Sequence, residues 1–288
     1  MAGDYPDDTL QSTPYEYHPC MTKIQVARPI LKWAGGKQGS AKTIVELFPT
    51  SFETFYEPFL GGASVLLTVG ARRSVASDLN RWVIDTYIQV REDWRAVARV
   101  LDEIPNTKEE FLRVRAVQPD TLDAVSRAAH LVYLNKTCFR GLFRVNRRGM
   151  FNVPYGAYSR RYYSEENFEA FSSAVSNTTF RCDDFEQSLD GITKRDFAYL
   201  DPPYYKLGGY SDFNRYTRGQ FCAPDHIRLA AVCRELDRSG VRWALSNSNT
   251  PFVRRLFDGY QFNEIDNRRE INLNSRARSI KELVITNY

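Results

Sequence analysis

The sequence predicts an α/β protein, a mostly parallel sheet wound on both faces and interrupted by one helical insert. Three features carry that prediction. Short runs rich in β-branched and aromatic residues are repeatedly followed by loop and helical patterns, as in strand–helix–strand units. One stretch of roughly 80 residues breaks this alternation with helical periodicity alone, about the size of a small domain. Two strand runs end in turns built from Gly or Pro, at the edge where doubly wound sheets bind ligands.

Taken in order, residues 1–28 are rich in Pro, Asp and Tyr without apolar periodicity and read as a tail. Strands are expected near Thr54–Glu57 and Ser74–Ser77. Val83, Tyr87, Val90, Trp94, Val97, Leu101 and Ile104 then form one apolar stripe of a long helix that Pro105 closes. Thr107 and Glu110 fit a capping box for a second helix, and a third helical pattern runs from about Leu122 to Leu134. Arg147, Arg148 and Gly149 read as a turn between Phe143–Val145 and Met150–Val153. Strands resume near Thr179–Cys182, Phe197–Leu200, Val241–Ser246, Gln261–Ile265 and Glu282–Thr286. The expected organisation is a discontinuous catalytic body, residues 29–81 and 166–288, around an insert of residues 82–165.

With 43% hydrophobic and 26% charged residues, the 288-residue chain has the balance of a globular protein rather than a disordered one. Five cysteines without a CxxC pair and only three histidines give no zinc-ligand spacing, so no structural metal and a reducing compartment are expected. The N-terminus lacks the apolar core of a signal peptide, and about 18 consecutive apolar residues occur nowhere. The charge is unevenly placed. From Ala124 to Ser164 there is no Asp or Glu, against eight basic residues: Arg127, Lys136, Arg140, Arg144, Arg147, Arg148, Arg160 and Arg161. Tyr133, Phe139, Phe143, Phe151, Tyr155, Tyr158, Tyr162 and Tyr163 are interleaved with them. Such a mixture suits a polyanion with stackable bases, and equally a solvated Arg-rich face beside a small aromatic core.

The sharpest motif is Asp201-Pro202-Pro203-Tyr204, directly after the apolar run Phe197–Leu200. It puts a carboxylate, a rigid turn and an aromatic ring at the carboxyl edge of the sheet. An exocyclic amine such as adenine N6 is a poor nucleophile because its lone pair is conjugated into the ring. The Asp201 carboxylate and the Pro202 carbonyl offer two acceptors for its hydrogens, favouring the pyramidal nitrogen that attacks a methyl sulfonium. Tyr204 would stack on a base that has left its duplex. A second motif runs from Phe55 through Glu57-Pro58-Phe59-Leu60-Gly61-Gly62-Ala63, where small residues allow close approach to a nucleoside. Some 20 residues on, Asp78 ends the next strand, where such folds bind ribose hydroxyls. Gly36–Thr43 nearly matches a phosphate-binding loop, but Ala41 replaces the glycine that precedes the lysine and would crowd the curl around phosphate.

Several segments together resemble the Dam-like, D12-class DNA adenine-N6 methyltransferases. They are Leu31-Lys32-Trp33-Ala34-Gly35-Gly36-Lys37, Glu57-Pro58-Phe59, Ser77-Asp78-Leu79-Asn80, Tyr133–Lys136 through Phe151–Gly156, Asp201–Tyr204, Leu245-Ser246-Asn247 and Lys281–Tyr288, in the family's order. The resemblance implies a Rossmann-like class I methyltransferase sheet and S-adenosylmethionine as cofactor. It implies cofactor contacts from Trp33, Lys37, Phe59, Gly61, Asp78, Asp184 and Asp201, and chemistry at Asp201, Pro202 and Tyr204. Residues 82–165 would be a target-recognition domain that meets DNA through Lys136, Arg140, Arg144, Asn146 and Arg147. Double-stranded DNA is the expected partner, a GATC-like site the expected target, and a cytoplasmic monomer of prokaryotic or viral origin, with no metal or membrane, the expected form. Ala63 departs from the family's usual F-x-G-x-G at its second glycine, which would weaken cofactor binding. The alternatives left open are a cytosine-N4 or RNA amino-methyltransferase and an inactive DNA-binding relative.

Overall fold

The computed structural model describes residues 26–146, 148–159, 161–205, 221–268 and 279–288. In chain order the elements are α1 (Ala41–Val45), β1 (Phe55–Glu57), α2 (Ser64–Val69), β2 (Ser74–Ser77), α3 (Arg81–Asp102), α4 (Lys108–Ala116) and α5 (Ala124–Thr137). They continue as α6 (Glu165–Ala174), β3 (Thr178–Arg181), α7 (Phe185–Ser188), β4 (Phe197–Leu200), α8 (Ala223–Arg238), β5 (Arg242–Ser248), α9 (Pro251–Leu256), β6 (Gln261–Arg268) and β7 (Ser279–Thr286). All seven expected strands form, within three residues of the expected limits.

The strands make one sheet in the order β3-β2-β1-β4-β5-β7-β6. β1 to β5 are parallel, and β7 runs antiparallel between β5 and β6. Strand order reverses between β1 and β4, the switch point at whose carboxyl ends doubly wound sheets bind ligands. Glu57 ends β1 there, and Asp201 directly follows β4.

Alternation along the strands divides the core in two. Phe55, Phe197, Tyr199, Ala244 and Val284 join one cluster, whereas Tyr56, Ala198, Leu200, Trp243, Leu245, Leu283 and Ile285 join the other. Because both faces are covered, β4 reads as an unbroken apolar run, the mark of a buried parallel strand. The first cluster continues through α3 to Phe111, Tyr133 and Phe151, so α3, α4 and α5 share an apolar core with the sheet. At the start of the described chain, Arg28 and Asn167 of α6 exchange two hydrogen bonds, Arg28 N donating to Asn167 Oδ1 at 2.9 Å and Asn167 Nδ2 to Arg28 O at 3.1 Å.

The long helix is not continuous. Asp93 adopts φ −148° and ψ 73° within α3, and its carboxylate accepts from Ala96 N at 2.9 Å. The apolar stripe runs past this point on both sides, so periodicity alone reads one helix, while Asp93 acts as an internal N-cap. Thr107 caps α4 as expected, accepting from Glu110 N at 3.1 Å. The reciprocal half of the capping box is replaced, since Glu110 instead accepts from Arg113 at 2.8 Å.

Candidate functional site

Three acids occupy one face of the sheet at one edge. Glu57 shares the strand phase of Phe55, Asp201 that of Phe197 and Tyr199, and Glu282 that of Val284 and Thr286. Glu282 pairs in register with Ser248, the last residue of β5, so it too sits at the carboxyl edge of the parallel strands. Lys37 meets this group from the loop before α1. Its ammonium donates to Asp201 Oδ2 at 2.7 Å and to Gly35 O at 2.9 Å, with 4% of the side chain exposed. It also lies 4.8 Å from the centre of the Tyr204 ring.

Burial holds the Asp201 carboxyl above the usual carboxylate range; Lys37 acts against this and Glu282 adds to it. Glu57 is raised well above its ordinary value, first by burial and then by the charge of Asp201. Asp201 Oδ1 and Glu57 Oε2 are buried carboxyl oxygens without a hydrogen-bond partner. Among the described residues none donates to the Pro202 carbonyl. The site therefore presents Asp201 Oδ1 and the Pro202 carbonyl as available acceptors, with one lysine fixing which Asp201 oxygen that is.

The Asp201–Tyr205 turn is anchored from two strands. Tyr204 Oη donates to Glu282 Oε2 at 3.0 Å. Tyr205 N donates to Asn247 Oδ1 at 3.2 Å, and Ser248 Oγ to Tyr205 O at 2.6 Å. Below the turn, the hydroxyls of Tyr199 and Ser246 lie 2.7 Å apart.

The glycine-containing loop after β1 is held from both sides. Gly61 N donates to Asp78 Oδ2 at 3.0 Å, while Tyr87 Oη donates to Gly61 O at 2.7 Å. Gly61 has φ +47°, and a Cβ there would stand 2.6 Å from Cδ1 of Trp33. Glycine is thus needed for backbone angle and for room. Asp78 Oδ1 accepts from Asn80 N at 2.9 Å at the start of α3, so one oxygen holds the glycine loop and the other its own turn, each keeping a second lone pair. Ala63 has φ +60° at the N-cap of α2, a left-handed conformation that explains a glycine preference at this position.

The other expected cofactor residues lie around this loop. The Trp33 ring stacks on Phe143 with centres 5.3 Å apart, and Phe59 stacks on Phe185 at 5.5 Å. Asp184 caps α7 through Glu186 N and takes a two-pronged ion pair from Arg228 at 2.8 and 2.9 Å. Its carboxylate is therefore shared, and a ligand there would meet Arg228 as well.

The basic segment follows α5. Arg140 adopts φ +59°, its N–H donating to Tyr158 Oη at 2.9 Å. Val145 and Phe151 form a bridge between the two arms of the expected turn. Asn146 holds that turn, its Oδ1 accepting from Arg148 N at 2.9 Å and Met150 N at 3.1 Å. Arg144 is exposed, with Nε on Asn152 Oδ1 at 2.7 Å. Lys136 is half-buried in the last turn of α5. Arg147, expected to meet DNA, lies outside the described residues, as do Arg160 and the tail through residue 25.

Sequence reasoning gave no role to Asn135, Glu57, Glu282 or Asn247, although each stands in a segment quoted above. Asn135 is fully buried and exchanges two hydrogen bonds with the backbone of Lys32, at 2.7 and 2.9 Å, joining α5 to the segment that carries Trp33 and Lys37. The available signal was a polar residue on an apolar phase. Such a residue must find partners, because an unpaired buried amide or carboxylate costs too much.

Among the described residues no three His, Cys, Asp or Glu side chains gather as metal ligands would, and no helix is long and apolar enough to cross a membrane. Residues 33–271 match the family model of the D12 class N6 adenine-specific DNA methyltransferases. The chain is 35% identical to the type II methyltransferase M.MjaIII of Methanocaldococcus jannaschii, over 91% of this chain and 99% of that one. It is 33% identical to the type II methyltransferase M1.LlaDCHI of Lactococcus lactis subsp. cremoris, covering 91% and 95%. A DNA adenine methylase of Vibrio cholerae is 31% identical, covering 88% and 92%.

Proposed function

As this chain belongs to the D12 class of N6 adenine-specific DNA methyltransferases, we propose that it takes the methyl group from S-adenosylmethionine and acts on an adenine flipped out of duplex DNA beside Asp201. The observation that carries this reading is the pairing of Lys37 with Asp201 Oδ2, which leaves Oδ1 as a buried acceptor without a partner. Asp201 Oδ1 and the Pro202 carbonyl would take the two N6 hydrogens, drawing the nitrogen lone pair out of conjugation. Tyr204 would stack on the extruded base.

Burial favours the neutral form of Glu57, so its unpartnered Oε2 offers the cofactor a hydrogen-bonding group rather than a charge; S-adenosylmethionine as that cofactor goes with the methyltransferase family. Trp33, Lys37, Phe59, Gly61, Asp78 and Asp184 would hold it, Asp184 jointly with Arg228. When bound, S-adenosylmethionine supplies the electrophilic methyl group. Lys37 opposes the burial that raises the Asp201 carboxyl and fixes its Oδ2, and the Asp78–Gly61–Tyr87 hydrogen bonds keep the loop in one conformation.

We assign residues 82–165 to target recognition, with Arg144 reading a base edge and Lys136 and Arg140 meeting phosphates. The interleaved basic and aromatic residues of the Ala124–Ser164 segment support this. A GATC-like target goes with the resemblance to Dam-like enzymes, and the type II names of two relatives favour a place in a restriction–modification pair. The test is methyl incorporation from labelled S-adenosylmethionine into duplex DNA, followed by nucleoside analysis and methylation sequencing. N6-methyladenine at one short motif, lost on Asp201→Ala, is expected. Methyl transfer undiminished in Asp201→Ala would overturn the assignment of the site.

A further inference from the structure

Tyr204 is held at two places. Its hydroxyl donates to Glu282 Oε2 at 3.0 Å, and the Lys37 ammonium lies 4.8 Å from the centre of its ring. A tyrosine side chain turns about two torsions. A tether at Oη fixes the direction of the ring, and a cation over one face fixes its plane. The tether comes from β7, 78 residues along the chain.

Glu282 is an expensive residue at its position. It is 5% exposed and shares the inward strand face with Val284 and Thr286, while Leu283 and Ile285 face the other apolar cluster. An ionised carboxylate on such a face costs several kcal/mol unless strong hydrogen bonds replace its water. A side chain chosen only for packing there would be apolar. Burial and the neighbouring Asp201 and Glu282 charges hold the Tyr204 phenol well above its usual range, so the hydroxyl remains a donor wherever the enzyme operates.

We propose that Glu282 is a positioning residue for methyl transfer: through the Tyr204 hydroxyl it sets the ring plane on which the extruded base stacks in front of Asp201. This rests on the assignment of Asp201 and Tyr204 to the reacting base. Glu282 touches neither the amine nor the methyl donor; it acts through Tyr204. A base stacked in the wrong plane still binds, but its amine misses the two acceptors, so the loss belongs in kcat rather than in KM.

The test is a double-mutant cycle in the full chain, with steady-state kinetics on duplex oligonucleotides and the fluorescence of 2-aminopurine at the target position. Glu282→Ala and Tyr204→Phe should each lower kcat about tenfold, with KM for DNA and for S-adenosylmethionine within about threefold, and the double variant should be no slower than the slower single one. Both should change the 2-aminopurine signal in the same direction, because ring stacking quenches it. Glu282→Gln, whose amide oxygen still accepts, should recover most of kcat. Losses that multiply in the double variant, or that appear in KM alone, would overturn the proposal. Should Glu282→Ala fail to fold, Tyr204→Phe decides by itself, since full kcat without the hydroxyl leaves Glu282 nothing to position. Failure of the underlying site assignment has a different signature, undiminished transfer in Asp201→Ala.

Discussion

Lys37 and Asp201, 164 residues apart, form an ion pair of 2.7 Å in which the lysine side chain is 4% exposed and the aspartate 16%. Removing one partner leaves the other charge buried without compensation, which costs about 3–5 kcal/mol. Lys37→Met should therefore destabilise the protein by that amount in urea unfolding and abolish methyl transfer. Lys37→Met combined with Asp201→Asn should regain part of the stability and none of the activity. A Lys37→Met protein as stable as the parent would show that the pair contributes nothing.

Glu57 carries a raised pKa because it is buried, with Asp201 adding to the shift. A carboxyl whose folded value exceeds its unfolded one contributes stability below the unfolded value and loses it as pH rises through the folded one. Glu57→Gln keeps the shape without the titration. Its melting temperature relative to the parent should rise from pH 4 to pH 8, and a difference that stays constant would contradict the assignment.

His226 gives the opposite sign. Burial pushes its pKa down from 6.5 to about 4, against the opposing charge of Asp225. The unfolded chain takes up a proton at a pH where the folded one does not, so stability falls as pH drops from 6.5 towards 4, by up to about 3 kcal/mol. His226→Gln should be less stable than the parent at pH 7, and the gap should narrow by most of that amount at pH 4.5. Urea unfolding of both proteins at the two pH values measures it.

Gly61→Ala places a methyl group 2.6 Å from Trp33 Cδ1 on a residue with φ +47°. Strain and overpacking together should cost about 2–4 kcal/mol. Because the loop also carries the Asp78 and Tyr87 bonds, binding of S-adenosylmethionine should weaken at least tenfold in a tryptophan-fluorescence titration. Unchanged affinity would remove the loop from the cofactor site.

Arg144 is exposed and braced by Asn152. If it reads a base, Arg144→Ala should cost about 1–3 kcal/mol of binding to cognate DNA and relax the target sequence. Asn152→Ala should reproduce part of this by freeing the guanidinium. Equal losses on cognate and random duplexes would make Arg144 a phosphate contact instead.

Much of the fold was legible because the strands carry short-range signals. Phe197–Leu200 is apolar throughout because it is buried on both faces, and Asp201-Pro202-Pro203 marks its end. The α3 break was hidden, since the stripe from Val83 to Ile104 keeps its period across it and only the Asp93 carboxylate on Ala96 N reveals it. In the site, Asp201, Tyr204, Lys37 and Gly61 were found as motif residues. Asn146, expected to meet DNA, also holds its own turn, a role that nothing in the sequence marked.

By itself, the sequence determined the seven strands, the helical stretch between β2 and β3 and the tetrapeptide at the strand end, all of which depend on residues within a few positions of one another. Only the tertiary structure decided that Lys37 faces Asp201, that Glu282 reaches Tyr204 and that Asn135 binds the Lys32 backbone. Those partners are 164, 78 and 103 residues apart. Their meeting depends on strand order and on which face each residue presents, and the physical demand that brings them together, satisfying a buried charge or amide, names no partner until the chain has folded.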